Sequence, residues 1–514
     1  MKYSGEEFAR SKPAIKKQIT MYYKKMKPFW ISLIIFGLIF STLFFIRLDL
    51  FNKFNHESPN VSLPFKNSPS ERDSWKNIFQ NGRKIGFSNT ILSKTKKGYL
   101  LKEALYMRIN TMGLIQDISL KVGGMLNNDF SLSSFDFEIA SGRFRFTAEG
   151  VVSGDLLSIK TQSFGSTQNI SVNVKDRIYV AAGILDAVMA TGMELGAEYT
   201  FNVFDPVTMG QESVGVKIIG TEEIINMGVK KNAKKVEILF KGVTQLAWIG
   251  ENDEVLQEKG LLGITLEKVT RNEALSDISL EASQDLTLLA SVPSNVRIDD
   301  PESLVGLDIE ISGIKYDNVY IHGGRQTFKG NILTINKEIL SNLPVRRNVD
   351  KIQDIELNFL QPTPFIQSDN AKIQNLAKEI VSTNDKPLDK VKKIVAWIHK
   401  NIEKRPVLSL PDALSTLENG VGDCNEHAVL LAAIARASGI PAKIETGLVY
   451  LKGRFYYHAW NLLFIGKWIT ADSLFDQIPA DVTHIRFTSG DQTQQLDLMN
   501  IIGKVKIKII NQKK

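Results

Sequence analysis

The chain has 514 residues, 43% of them hydrophobic and 23% charged, which allows roughly two to four domains with their own cores and excludes a largely disordered polypeptide. Its formal net charge of +7 would suit a nucleic-acid partner, but eight basic residues fall within the first 27, against Glu6 and Glu7. The remaining body is nearly neutral, which argues against a phosphate-binding surface and a nucleic-acid partner.

The basic tail (1–27) runs into an apolar segment (28–46). From Phe29 to Ile46 there is no charge, and Arg47 and Asp49 close the run. At about 1.5 Å per residue a helix of this length rises roughly 27 Å, close to the hydrocarbon thickness of a bilayer. The segment is predicted to be a single transmembrane helix. Its positive flank stays in the cytoplasm and the bulk of the chain faces outward. A cleaved signal peptide fits less well, because the exit Leu43-Phe44-Phe45-Ile46 is bulky where a small-residue site is needed. Residues 47–72, rich in Asn, Ser, Pro and Lys, read as a linker.

Residues 73–280 show short runs of β-like alternation, such as Phe135-Asp136-Phe137-Glu138-Ile139 and Lys235 to Phe240, separated by Gly, Asn and Asp. One helical island, Ala181 to Leu195, interrupts them. A second β-rich unit is predicted over 281–368, where Leu307-Asp308-Ile309-Glu310-Ile311 alternates cleanly. Neither unit contains a cluster of Cys, His or paired carboxylates that would make a site. From about residue 369 the period becomes helical: Leu388, Val391, Val395, Ile398 and Ile402 form one apolar stripe. Residues 491–514 read as a C-terminal strand and tail. The fold class expected is α+β: an N-terminal transmembrane helix, two antiparallel β-rich units, then a cysteine domain over 369–490.

The chemistry-bearing string is GDCNEHAVLLAAIARASGIPAK, Gly422 to Lys443. Asp423 and Glu426 have the spacing of a helix capping box, and Gly439 with Pro441 supplies the stop. Cys424 is then the first helical residue, at the positive end of the helix dipole. That position is expected to lower its thiol pKa and favour the nucleophilic thiolate. A base must come from elsewhere. His458 lies in the strand-like Tyr456-Tyr457-His458-Ala459-Trp460-Asn461. Asp472 follows a turn at Gly466 and a second strand-like stretch, Trp468-Ile469. Such a hairpin brings Asp472 beside His458, where a carboxylate orients an imidazole.

The order of Cys on a helix start, His on a strand and Asp on the next strand resembles the transglutaminase-like superfamily, of the bacterial membrane-anchored kind. The resemblance rests on G-D-C followed by E-H-A, R-A-x-G-I-P, H-A-W-N and W-I-x-x-D, over about a quarter of the chain. It implies a papain-type fold, with Cys424 as nucleophile, His458 as general base and Asp472 as third member. The sequence departs from the family at Asp472-Ser473-Leu474, where Asp-Pro-Thr is common.

His427 reads as helix packing, His399 as solvated and His484 as structural, while His56 and His322 have no partners in sequence. A zinc site on Cys424, His427 and His458 is rejected, because there is no second Cys and no C-x-x-C. No cofactor is expected. An oxyanion would be met by the Cys424 N–H, with Trp397 and Tyr456 as side-chain candidates. The expected activity is acyl transfer on a peptide or protein amide through a thioester, most simply hydrolytic. The expected place is the bacterial cytoplasmic membrane, with the bulk periplasmic. The alternative is a catalytically silent, peptide-binding scaffold of the envelope.

Overall fold

The computed structural model describes residues 65–514 apart from 67, 143, 164–165, 175, 241, 277–283, 317–318, 343–353, 408–409, 492–497 and 499–500. The basic tail, the apolar run at 28–46 and most of the linker lie outside the described residues. Among the described residues no helix is long and apolar enough to cross a membrane. The protein is mostly β with some helices.

Arg72–Gln80 begins a fourteen-stranded antiparallel sheet. From it the chain runs outward through seven successive strands to Ser166–Asn173. It then makes the short helix Ile184–Ala190 and restarts at Glu198–Asp205, the opposite edge. Five more strands return to Ile264–Val269, which pairs with Arg72–Gln80. Each neighbour in this sheet is therefore a neighbour in sequence, except for that one pairing. The tight turns follow from local chemistry. Asn81-Gly82, Met112-Gly113 and Met227-Gly228 each close a two-residue hairpin with both residues at positive φ. This is the primed turn whose twist matches the flanking strands. Leu101, Val236, Ala247 and Ile249 are fully buried on the sheet, each large side chain stabilising the fold by about 1.5–3 kcal/mol.

The C-terminal part has two smaller sheets. One has four strands in the order Gln326–Lys329, Ile332–Asn336, Gly306–Ser312 and Lys506–Lys513. The other has five. Val292–Pro293, Arg454–Phe464, Ala442–Leu451 and Ile485–Gly490 lie side by side, and Trp468–Ala471 also pairs with Arg454–Phe464. The division expected between a second β unit, a cysteine domain and a tail does not describe this packing. The tail strand completes the four-stranded sheet by pairing with Gly306–Ser312. Val292, Leu307, Leu448, Phe487 and Ile507 share one hydrophobic core. The physical reason is that each small sheet has an apolar face that only the other can bury. The helices Ala371–Ile380, Pro387–Asn401 and Cys424–Ala437 form a second core against Ala459, Leu463 and Ile469.

Candidate active site

The helix Cys424–Ala437 starts where its sequence directs. The Asp423 side chain accepts from the Asn425 N–H at 2.9 Å, and the Asp423 N–H donates to Glu426 Oε2 at 3.0 Å. These satisfy first-turn donors that the helix itself leaves unpaired. Gly422 permits the arrangement, since a Cβ there would lie 2.4 Å from the Glu426 Cβ. Cys424 is the first helical residue.

The base arrives on the strand Arg454–Phe464. The Asn461 amide donates to the Ala428 carbonyl at 2.9 Å, tying this strand to the first turns of the Cys424 helix. On one side the strand pairs with Ala442–Leu451 throughout. On the other, Val292–Pro293 covers Arg454 and Phe455, and Trp468–Ala471 covers Asn461 to Phe464. No described strand covers Tyr456 to Trp460 on that side. The Ala459 N–H lies on this open side and pulls the Cys424 thiol pKa down. The gap in the sheet thus seats the thiol beside the residue that follows His458.

His458 Nε2 lies 2.6 Å from Asp472 Oδ2. Asp472 Oδ1 accepts from the backbone N–H groups of Leu474 and Phe475, at 2.8 and 3.2 Å. The His458 ring stacks on Phe475, with centroids 5.0 Å apart. With Nε2 engaged by Asp472, Nδ1 is the ring nitrogen left to exchange a proton.

Asp472 has a second imidazole. His484 Nε2 is 3.0 Å from the same Oδ2, and its Nδ1 is 3.3 Å from Asp481 Oδ1. His484 and Asp472 are both buried. Burial alone would lower the His484 pKa, but Asp472 and Asp481 outweigh it and hold the imidazole raised to about 9. Burial would raise Asp472, yet His458 and His484 together keep it well below the usual carboxylate range. The sequence reading of His484 as structural missed this contact. The available signal was Asp481-x-x-His484, a turn that aims one imidazole nitrogen at its own carboxylate and frees the other. The approach of the two histidines also needs Gly447, which pairs with His458 on one side and Arg486 on the other. A Cβ there would sit 1.8 Å from the Ile485 carbonyl oxygen.

Other expectations change. Burial, with Asp423 adding to it, pushes the Cys424 thiol well up, although the Ala459 N–H pulls it down. Desolvation of the thiolate therefore opposes the lowering expected from the helix start. His399, expected to be solvated, has Nδ1 at 3.3 Å from the Ser473 carbonyl, because its helix packs against the loop after Asp472. His322 accepts from the Phe328 N–H at 3.1 Å. His427 is buried, with Nδ1 at 2.7 Å from the Asp423 carbonyl. Trp397 packs on the helical core.

His458, Asp472 and His484 place ligand-type atoms within 4.8 Å of one another. Two imidazoles and a carboxylate can hold a divalent cation, but their nitrogens must be unprotonated. Both Nε2 atoms point at one carboxylate oxygen, and His484 sits between two carboxylates, which favours the protonated ring over a metal ligand.

Residues 374–473 match the Transglutaminase-like superfamily, and this segment is a transglutaminase-like domain. No curated protein matches the chain. Among solved structures, a Cytophaga hutchinsonii protein provisionally described as a cysteine protease is 19% identical, covering 40% of this chain and 86% of that one, with a TM-score of 0.27. The periplasmic domain of TgpA from Pseudomonas aeruginosa is 16% identical, covering 37% and 73%, with a TM-score of 0.23. A beta-barrel-like protein of Brucella abortus, of a domain family of unknown function, is 8% identical, covering 38% and 94%, with a TM-score of 0.30.

Proposed function

We propose that the protein is a cysteine acyl-transfer enzyme acting on peptide or protein amides, with Cys424 as nucleophile, His458 as general base and Asp472 as its orienting partner. The observation that carries this reading is the convergence at one strand: Cys424 packs against the core cluster that includes Ala459, while the adjacent His458 is held by Asp472 at 2.6 Å. Desolvation disfavours the free thiolate, so the Cys424 proton must be taken up as the sulfur attacks. His458 Nδ1 takes the thiol proton as the sulfur attacks the carbonyl carbon. The C–N bond then breaks, the departing amine takes the proton from His458, and a thioester remains. Water resolves the thioester to a carboxylic acid, and an amine resolves it to a new amide. Hydrolysis is the reading we favour, because water needs no site of its own. In this reading the Cys424 N–H, unpaired within its own helix, meets the developing oxyanion.

A cleft of about 550 Å³ reaches the start of the Cys424 helix at Glu426. Leu114 and Ile115 from the large sheet line one side; Arg405, Val407 and Glu426 line the other. The same reading includes a bacterial cytoplasmic-membrane anchor at 28–46, with the bulk of the chain periplasmic. Its support is the uncharged run after a basic tail.

Cys424 is the sole cysteine, so alkylation of the full chain by iodoacetamide reports on it alone. At neutral pH, wild-type alkylation should exceed that of His458→Ala by roughly tenfold or more. Equal rates in the two proteins would remove the coupled pair and favour the peptide-binding scaffold.

A further inference from the structure

The large sheet lines an open cavity of about 450 Å³. It is far from featureless. Side chains from both arms of the sheet face each other across it, with Ile184 and Leu185 of the short helix between them. Leu120, Val122 and Phe137 come from one arm; Val214, Ile238 and Phe240 come from the other. A cavity of a few hundred Å³ with apolar walls and a few convergent polar groups is the usual form of a small-molecule site.

The polar groups are concentrated on the first three strands. Arg72, Lys76 and Glu103 line the cavity with Glu258 from the returning arm. Arg72 is paired with the fully buried Asp186. Lys76 is paired with Glu258. Asp205, also in the lining, is held by its own turn, where it accepts from the Val207 N–H at 2.9 Å and the Thr208 hydroxyl at 3.1 Å. Glu103 is the exception. Among the described residues its carboxyl group forms no hydrogen bond or ion pair, and Lys76 acts on it only through space. Burial pushes it up. With the two ion pairs cancelling, the charged patch against which a ligand would rest carries one spare carboxyl group.

Glu103 is half-buried, so its carboxyl keeps some contact with water, and a donor on a ligand can take that water's place. An anionic head would meet Glu103 and be repelled. A cationic head would form a charge-assisted hydrogen bond there, while an aliphatic body lay against the facing apolar walls. We propose that this cavity binds a cationic amphiphile, an alkyl chain carrying a protonated amine, with Glu103 as the residue that selects the charge. The site is separate from the cysteine centre and does not depend on the chemistry proposed for it.

The test is calorimetric titration of the full chain with octylamine and with octanoate near neutral pH. These probes share chain length and differ in the sign of the head. Octylamine should bind roughly tenfold or more tightly than octanoate. Glu103→Gln, which keeps the shape and removes the charge, should bring the two within about threefold. Val122→Trp, which fills the cavity, should weaken octylamine by roughly tenfold. Octanoate binding as tightly as octylamine overturns the proposal, as does binding of neither. Octylamine affinity unchanged by Glu103→Gln also overturns it, because uptake elsewhere on the protein or by detergent survives that substitution. Glu103→Gln preserves side-chain volume, so the test stands even where Val122→Trp does not fold.

Discussion

The large sheet and the cysteine domain differ in where most of their polar contacts lie. In the sheet, strands pair with their sequence neighbours and are joined by local turns. Most of its ion pairs sit at the surface, as Arg108 with Asp117 and Lys230 with Glu223 do. In the cysteine domain, buried polar side chains hold one another across long stretches of sequence. Glu445 is 2% exposed and accepts from Trp460 Nε1 at 2.9 Å and Arg486 at 3.0 Å. Arg486 in turn donates to the Tyr320 and Gly323 carbonyls. Arg436 joins the Cys424 helix to the Ala442 and Gln361 carbonyls. A meander can absorb a local error. A network of buried charges leaves an unpaired group whenever one member is lost. The contrast makes the cysteine domain the fragile and specific part.

The largest effect should come from the site itself. Cys424→Ala should abolish thioester formation and lower amide turnover by about 10⁴-fold or more while leaving the melting temperature nearly unchanged. Trapping of the acyl-enzyme by mass spectrometry checks the first, and calorimetry the second. Retained turnover would move the chemistry away from this cysteine.

Next is the support of the site. Arg486→Met should destabilise the protein by about 3–5 kcal/mol, because Glu445 would remain buried with its ion-pair partner removed. Denaturant unfolding measures this. A change below about 1 kcal/mol would mean the network relaxes as easily as a surface pair.

The third effect depends on pH. The folded pKa of His484, about 9, lies above its ordinary value of 6.5. Its pairing with Asp472 and Asp481 is therefore fully stabilising below about 6.5 and is lost as pH rises through about 9. His484→Gln should cost roughly 2–3 kcal/mol in mildly acidic solution and progressively less toward alkaline pH. Unfolding midpoints of both proteins across that range provide the check. A difference that stays constant with pH would indicate packing alone.

The smallest expected effect lies in the sheet. Met227, at φ 52° in a two-residue turn with Gly228, occupies a position that favours Asn. Met227→Asn should raise stability by about 0.5–1 kcal/mol, read as a small rise in melting temperature. A loss of stability there would show that the Met side chain makes contacts the turn geometry does not reveal.

Much of this was legible in the residues, and unevenly so. The capping box at Asp423 and Glu426 is a spacing within one turn, so the start of the Cys424 helix could be read directly. The stripe Val391, Val395 and Ile398 marked a buried helix face for the same reason. The alternation in 306–312 gave a strand, but nothing local shows that its partner is Lys506–Lys513, nearly two hundred positions away. His484 was the main omission at the site. Its role depends on meeting Asp472, and the two ends of the connection 472–484 meet only because the strands on either side of it are held in one sheet by Arg454–Phe464 and Ala442–Leu451.

The sequence by itself determined the elements whose causes are local: the capped helix with Cys424 at its first position, the hairpin turns, and the alternating strands. Only the tertiary structure decided what surrounds the thiol. The gap in the five-stranded sheet leaves room for Cys424 to pack beside Ala459, and the close approach at Gly447 brings His484 to Asp472. Burial then raises the thiol where the helix start alone would lower it. Capping and turn geometry act over a few bonds. Desolvation and hydrogen bonding between distant strands act through space, and their sign is fixed only when the chain has packed.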